Sequence, residues 1–237
     1  MMDEDIKAGE ELIKSQVAWE DRKNIGCLNG WITTWKEVVF KPGTFFNKVS
    51  PKGKITEALT FGIVPVSISI IVSAIIGILY QIITKRPPVG MTSQQVIIFN
   101  VIFIIVSPLL AMIGLFIGSA IYHLFVLLCG GRKGFRATFR VMGYTNAIAI
   151  FSPIPVAGPL FVGIYSIVLL TKGFKRVHSI STARAVWAVL IPVILGILLF
   201  VIASVLLGLF LTLTPGAGPL TPPAIPTPGQ LTPPPTQ

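Results

Sequence analysis

Acidic residues are missing from most of this sequence. All nine Asp and Glu residues lie before position 58, the last of them being Glu57, and only 12% of the chain is charged. A soluble domain carries about a quarter charged residues, so a chain this poor in charge needs lipid as its solvent. Beyond Glu57 the missing carboxylates exclude a pair for proteolysis inside the membrane, a group for proton coupling, and hard oxygen ligands for a divalent metal.

The motifs of common enzyme classes are also missing. The chain contains no Gly-x-x-x-x-Gly-Lys-Ser/Thr loop, no His-Glu-x-x-His and no Gly-x-Ser-x-Gly. Cys27 and Cys129 form neither a metal-ligand nor a redox spacing, and the two histidines lack further ligands. The sequence therefore predicts a protein that is not an enzyme and has no cofactor or metal. Its polar, acidic start does not resemble a cleavable signal peptide.

Long apolar runs make up much of the rest of the chain. They cover about 58–83, 96–129 with Pro108 inside, and 183–213. Two shorter stretches between 137 and 171 flank a proline-rich turn, and they form either two short crossings or one re-entrant hairpin. The runs predict an all-α fold, a polytopic helical membrane bundle of about five transmembrane segments.

Positive charge is distributed unevenly among the loops. Of the 19 Lys and Arg residues, nine lie in the N-terminal segment and only two, Lys85 and Arg86, in the first loop. The second and fourth loops hold four each: Arg132, Lys133, Arg136 and Arg140 in the second, and Lys172, Lys175, Arg176 and Arg184 in the fourth. The positive-inside rule then places the N-terminus in the cytoplasm and the C-terminus outside. This result is the same for two short crossings and for a re-entrant hairpin. We expect a multi-pass membrane protein, located in the cell membrane if the protein is prokaryotic.

The two ends of the chain differ in composition from the five-span membrane domain at 58–213. In the cytoplasmic segment 1–57, apolar residues recur at helical spacing around Trp31 and Trp35. This pattern predicts an amphipathic helix in the headgroup layer, with a soluble helix packed on the chain's own loops as the alternative. The segment 214–237 holds nine prolines, which predicts a solvated, disordered tail.

Basic side chains in the second and fourth loops form the first candidate site. They fall on the same face of the membrane, where each cation adds about 1 kcal/mol to the binding of anionic lipid; ordinary topology determinants are the alternative. Because these bases lie between spans, we expect membrane lipids and membrane or cytoplasmic proteins as partners, and no nucleic acid. The candidate lipid- or partner-binding residues are Trp31, Trp35, Arg132, Lys133, Arg136, Arg140, Lys172, Lys175 and Arg176.

Three polar residues within the predicted membrane segments form the second candidate site, namely His123, Tyr144 and Asn146. A polar side chain in lipid usually faces the interior of the bundle and marks a functional position. For His123 the alternative is a hydrogen bond between two helices. A pathway for a small molecule or a lipid beside these residues is therefore the second functional hypothesis.

A series of short motifs extends through most of the chain. In order they are Trp35, Phe40-Lys41-Pro42, Phe45-Phe46, His123, Gly130-Gly131, Phe139-Arg140-Val141, Gly143-Tyr144, Pro153, Pro155, Gly158, Tyr165, Gly173, His178, Ser181, Ala183 and Pro192. Together they resemble the Yip1-domain family of small, five-span membrane proteins. The resemblance implies a cytoplasmic N-terminus, five membrane segments and a role in membrane organisation rather than catalysis.

The resemblance also bears on partners. Eukaryotic members of the family look like trafficking factors that engage Rab-type GTPases, and Gly143-Tyr144 resembles one of their motifs. Their Asp-Leu-Tyr-Gly-Pro motif is absent here, and the short N-terminal segment looks more like the prokaryotic branch. We expect a non-enzymatic protein that organises or recruits partners at the cytoplasmic membrane face. A small-molecule or lipid transporter is the alternative.

Overall fold

Residues 16–85 and 90–213 are described by the computed structural model of this chain, and all regular secondary structure within these ranges is helical. The helices are α1 (Arg22–Ile25), α2 (Cys27–Phe40), α3 (Pro42–Lys48), α4 (Ile55–Thr84), α5 (Ser93–Leu128), α6 (Phe135–Thr145), the 3-10 helix η1 (Asn146–Phe151), α7 (Ala157–Val177) and α8 (Thr182–Leu213). The tail expected to be disordered, 214–237, lies outside the described residues.

Four of the described helices are long and apolar enough to cross a membrane, namely α4, α5, α7 and α8. The first two have 30 and 36 residues, more than the roughly 20 that a crossing needs. The predicted count of about five is not confirmed. The first arm of the expected hairpin is α6, which has only 11 residues and continues into the six residues of η1.

The second membrane helix, α5, has defined ends. A capping box starts it: the Thr92 hydroxyl accepts from the Gln95 N–H at 3.3 Å, and the Gln95 side chain accepts from the Thr92 N–H at 2.8 Å. The helix continues through Pro108 and ends just before Gly130, whose φ of 90° suits a residue without a side chain.

The N-terminal helices pack onto α6, η1 and α7. The Trp35 indole N–H donates to the Ala147 carbonyl at 2.9 Å, and the Tyr165 hydroxyl donates to the Val39 carbonyl at 2.6 Å. Phe46 of α3 is fully buried within the same hydrophobic core. The amphipathic helix predicted by the sequence is α2. On its apolar face Val38 and Val39 are buried, Trp31 and Trp35 are half-buried, and Leu28 is 73% exposed.

Helices α4 and α6 meet at two glycines. A Cβ at Gly143 would lie 2.6 Å from the Ala58 carbonyl oxygen, and a Cβ at Gly62 would lie 2.5 Å from the Gly143 carbonyl oxygen. Both distances are shorter than carbon and oxygen atoms tolerate, so this backbone contact requires glycine on both helices. By contrast, no atom lies within 4 Å of such a position at Gly77 in α4 or Gly114 in α5.

The chain divides into two compact units, 1–194 and 195–237. The first contains the hydrophobic core, to which α8 contributes the buried residues Ala185, Ala188 and Val189. The second is described for 195–213, which is the C-terminal part of α8. Its large apolar side chains are exposed, for example Leu199 at 66% and Phe200 at 74%, as expected of a helix that faces lipid.

Candidate functional site

A buried arginine connects the N-terminal segment to α6. Arg140 is completely buried, and its guanidinium donates to the Glu20 carboxylate at 2.5 Å and to the Lys54 carbonyl at 2.9 Å. The buried hydroxyl of Tyr144 donates to the same Glu20 oxygen at 2.6 Å. Gly53 lies directly above the guanidinium, and a Cβ there would be 2.3 Å from its central carbon. We call Glu20, Arg140 and Tyr144 the buried ionic cluster.

Glu20 is the carboxylate that contacts both other members of the buried ionic cluster. Glu20 is the acid that pairs with Arg140 in the described part of the chain, and its own side chain is 26% exposed. Burial, followed by the negative charge of Glu20, holds the pKa of the Tyr144 hydroxyl well above its ordinary value. Tyr144 therefore keeps its proton at neutral pH and acts as a hydrogen-bond donor to Glu20.

The structure buries both Arg140, which was predicted at the lipid- or partner-binding surface, and Tyr144, which was predicted in the polar site within the membrane. Arg140 is fully buried, so it does not belong to the exposed basic surface in which the sequence analysis included it. Tyr144 is also fully buried, and its neighbour Gly143 provides the backbone contact with α4. In this structure the Gly143-Tyr144 motif packs helices together and presents no side chain at the surface.

Two histidines are linked through a threonine. The Thr138 hydroxyl lies 2.9 Å from Nδ1 of His123 and 3.1 Å from Nε2 of His178. The interhelical hydrogen bond considered for His123 is therefore present, between α5 and α6. Nδ1 of His178 has no hydrogen-bond partner among the described residues and faces Gly131, where a Cβ would lie 3.1 Å away. No group of three or more potential metal ligands occurs within 16–85 and 90–213.

The stability of the fold should decrease on mild acidification because of His178, which is 3% exposed and follows the last residue of α7. Burial, together with the nearby charges of His123 and Lys133, lowers its pKa from 6.5 to about 4. Between these two pH values the unfolded chain binds a proton at His178 and the folded chain does not. The contribution of His178 to the free energy of unfolding is therefore fully present above pH 6.5 and falls as the pH drops toward 4. Thermal unfolding of purified protein across this range measures the effect.

The matched variant for this prediction is His178→Gln, which keeps a polar group near Thr138 and cannot titrate. We expect its unfolding temperature to vary less with pH across the same interval than that of the unchanged protein. Identical pH dependence in the two proteins would show that His178 does not contribute.

The remaining predicted cations lie at one end of the α6–η1–α7 hairpin. The loop before α6 contacts the residue after α7, since Gly131 faces His178. Five of these side chains are exposed and Lys175 is half-buried. We call this set the basic surface: Arg132, Lys133, Arg136, Lys172, Lys175 and Arg176.

The other predicted residues lie elsewhere. Trp31 and Trp35 stack on each other at 6.5 Å with an interplanar angle of 13°, and both are half-buried against the core. Asn146 is half-buried and begins η1. His123, Tyr144 and Asn146 belong to α5, α6 and η1, and the first two are occupied by hydrogen bonds to Thr138 and Glu20.

Sequence reasoning missed Glu20 and Arg184. A signal for Glu20 existed, because an arginine inside the apolar stretch after position 137 requires a carboxylate, and all carboxylates precede position 58. Arg184 was counted among the loop bases, yet its guanidinium lies against the end of α5, with a Cβ at Gly130 falling 3.2 Å from its Nη1. No local pattern indicates that contact.

The fold and the site together define a multi-pass helical membrane protein whose membrane region is held to an N-terminal segment by buried polar contacts. The family model for the Yip1 domain matches residues 36–203, which is more than two-thirds of the chain. The protein therefore belongs to the Yip1 domain family, a family of membrane-trafficking type that is not known for enzymatic activity. No curated protein and no solved structure shows a match to the chain.

Proposed function

We propose that this protein is a non-enzymatic membrane protein that recruits acidic segments of protein partners through its basic surface. The observation that carries the proposal is that no carboxylate among residues 16–85 and 90–213 pairs with this surface. The described ion pairs join Arg22 to Glu57, Lys48 to Glu37, and Arg140 to Glu20. None of them involves a member of the basic surface, so these cations remain available to a partner.

The proposed orientation places the basic surface in the cytoplasm. The positive-inside rule supports this orientation. The contacts between the two ends of the hairpin support a shared side for both basic loops, because Thr138 near the start of α6 and His178 after α7 share a hydrogen bond. A hairpin that returns to its starting end leaves the second and fourth loops on one side, whether or not its first arm crosses the membrane.

The burial of Tyr144 supports a particular mode of recruitment. Because the Gly143-Tyr144 motif is enclosed by α4 and the N-terminal segment, a partner would bind the exposed cations and would not contact the motif itself. The N-terminal helices then support the basic surface from within the fold, since α2 and α3 contribute Val38, Phe45 and Phe46 to the core.

Charge reversal at the basic surface tests this function. We expect Lys172→Glu/Arg176→Glu to reduce the recovery of specific protein partners by roughly tenfold after gentle detergent extraction, because each reversal replaces attraction by repulsion. Quantitative mass spectrometry of the co-purifying proteins measures the recovery. Truncation of the first 40 residues is a poorer test, because it would remove Val38 and Val39 from the core.

The control for this experiment is Lys36→Glu/Lys41→Glu, which reverses two exposed charges on α2 and just after it. Partners that use the basic surface should be retained by this control and lost from the first variant. Equal recovery from both variants and from the unchanged protein would contradict recruitment through the basic surface.

The second candidate function is lipid handling, and a cavity of about 520 Å³ between α4 and α5 favours it. Apolar side chains line most of this cavity, and Ser73 and Asn100 add polar groups. The amide of Asn100 already donates to the Val96 carbonyl at 2.9 Å. Recovery of a lipid held in this cavity, without any protein partner, would favour this function over recruitment.

A further inference from the structure

A cleft lies between the end of α5 and the start of α8. It is open to the surface, has a volume of about 400 Å³ and is lined by Leu128, Cys129, Gly130, Arg132 and Arg184. The guanidinium of Arg184 reaches across to α5, where it lies against Gly130. Two arginines that are 52 positions apart in sequence therefore line one small cleft.

The guanidinium groups of both arginines are without a carboxylate partner in the part of the chain that the structure describes. Arg140 and Arg22 each pair with a carboxylate, whereas neither Arg132 nor Arg184 takes part in any ion pair among residues 16–85 and 90–213. Arginine presents a planar fork of N–H donors that matches the oxygens of a phosphate. Unpaired guanidinium groups on the wall of a cleft are therefore suited to an anion.

The cleft combines this charge with exposed apolar side chains. Leu128 lines it and is 73% exposed, and Trp187, one turn beyond Arg184 on α8, is 57% exposed. Burial raises the pKa of the Cys129 thiol, so the thiol remains uncharged and does not repel an anion. Tryptophan beside arginine at the end of a membrane helix is typical of the boundary between hydrocarbon and headgroups.

We propose that this cleft binds one anionic phospholipid, with its phosphate between Arg132 and Arg184 and an acyl chain along Leu128 and Trp187. The charge selects an anion, and the adjoining apolar side chains favour a lipid over free phosphate. This proposal deepens the proposed function, since Arg132 belongs to both the cleft and the basic surface. A lipid held here would cover one edge of the surface that partners are proposed to use.

Native mass spectrometry of the detergent-purified full-length protein tests the site. The protein is titrated separately with phosphatidylglycerol, phosphatidylcholine and inorganic phosphate. We expect one tightly bound phosphatidylglycerol. The affinity of Arg132→Gln/Arg184→Gln for this lipid should be roughly 30-fold weaker, because the loss of each cation lowers the affinity about fivefold. The conservative variant Arg132→Lys/Arg184→Lys should recover part of this loss, because it keeps the charge without the planar fork.

The matched control is Lys36→Gln/Lys41→Gln, which removes the same amount of charge from exposed positions outside the cleft. Its affinity for phosphatidylglycerol should equal that of the unchanged protein. Equal weakening in the control, undiminished binding by the arginine variant, or equally tight binding of inorganic phosphate would each overturn the proposal. Because no protein partner is present, these outcomes are independent of the recruitment test, which varies Lys172 and Arg176.

Discussion

Replacing Glu20 by glutamine is expected to lower the free energy of unfolding by about 3 kcal/mol. The substitution leaves the fully buried guanidinium of Arg140 without a counter-charge, and breaking a buried ion pair by removing one partner costs about 3–5 kcal/mol. We expect the lower end of this range because 26% of the Glu20 side chain is exposed. Thermal unfolding of the purified protein in detergent measures the change.

Two further variants separate the ion pair from a general effect of the substitution. Glu20→Gln/Arg140→Met removes both charges and should recover most of the loss, since it leaves no buried charge unpaired. Glu37→Gln breaks the partly exposed pair with Lys48 and should cost less than about 1 kcal/mol. If Glu20→Gln were as mild as Glu37→Gln, the buried ionic cluster would not hold the N-terminal segment in place.

Alanine at Gly143 or Gly62 is expected to destabilise the protein by about 1–3 kcal/mol, because overpacking of a tight contact forces the backbone to move. At Gly143 the new methyl group would meet the Ala58 carbonyl, and at Gly62 it would meet the carbonyl of Gly143. Both obstructing atoms belong to the backbone, so a change of side-chain rotamer cannot relieve the overlap. The same thermal unfolding assay applies.

The control lies on the same helix as Gly62. Gly77→Ala introduces the same methyl group into α4 where no atom lies within 4 Å, and it should be neutral or stabilising by up to about 1 kcal/mol, since alanine favours a helix over glycine. Similar losses at Gly62 and Gly77 would mean that the backbone contact between α4 and α6 is not the cause.

The sequence predicts the long membrane helices well because lipid leaves an apolar run few alternatives. Because lipid contains no water to form hydrogen bonds with the backbone N–H and C=O groups, such a run forms a helix along its whole length. The runs expected at 58–83, 96–129 and 183–213 agree with α4, α5 and α8 to within a few residues. The hairpin is different, since α6 and η1 are short and depend on packing against α4, α5 and α7.

The candidate site is only partly predictable for a related reason. The cations of the basic surface were found because lysine and arginine beside a span remain in water. Arg140 has the same charge and similar neighbours in sequence, yet it is buried because Glu20 reaches it from a distance of 120 residues along the chain. The neighbouring residues in sequence do not distinguish the buried arginine from the exposed cations, because the difference is caused by a carboxylate from another part of the sequence.

The hydrogen bonds that attach the N-terminal segment have a consequence for biosynthesis. Glu20, Trp35 and Val39 bond to residues between 112 and 126 positions later in the chain. A ribosome adds about 5–20 residues per second, so the segment is made roughly 6–25 seconds before its partners. The N-terminal segment therefore cannot form these contacts until α4 and α5 have been synthesised, and the nascent chain holds it without them during that time.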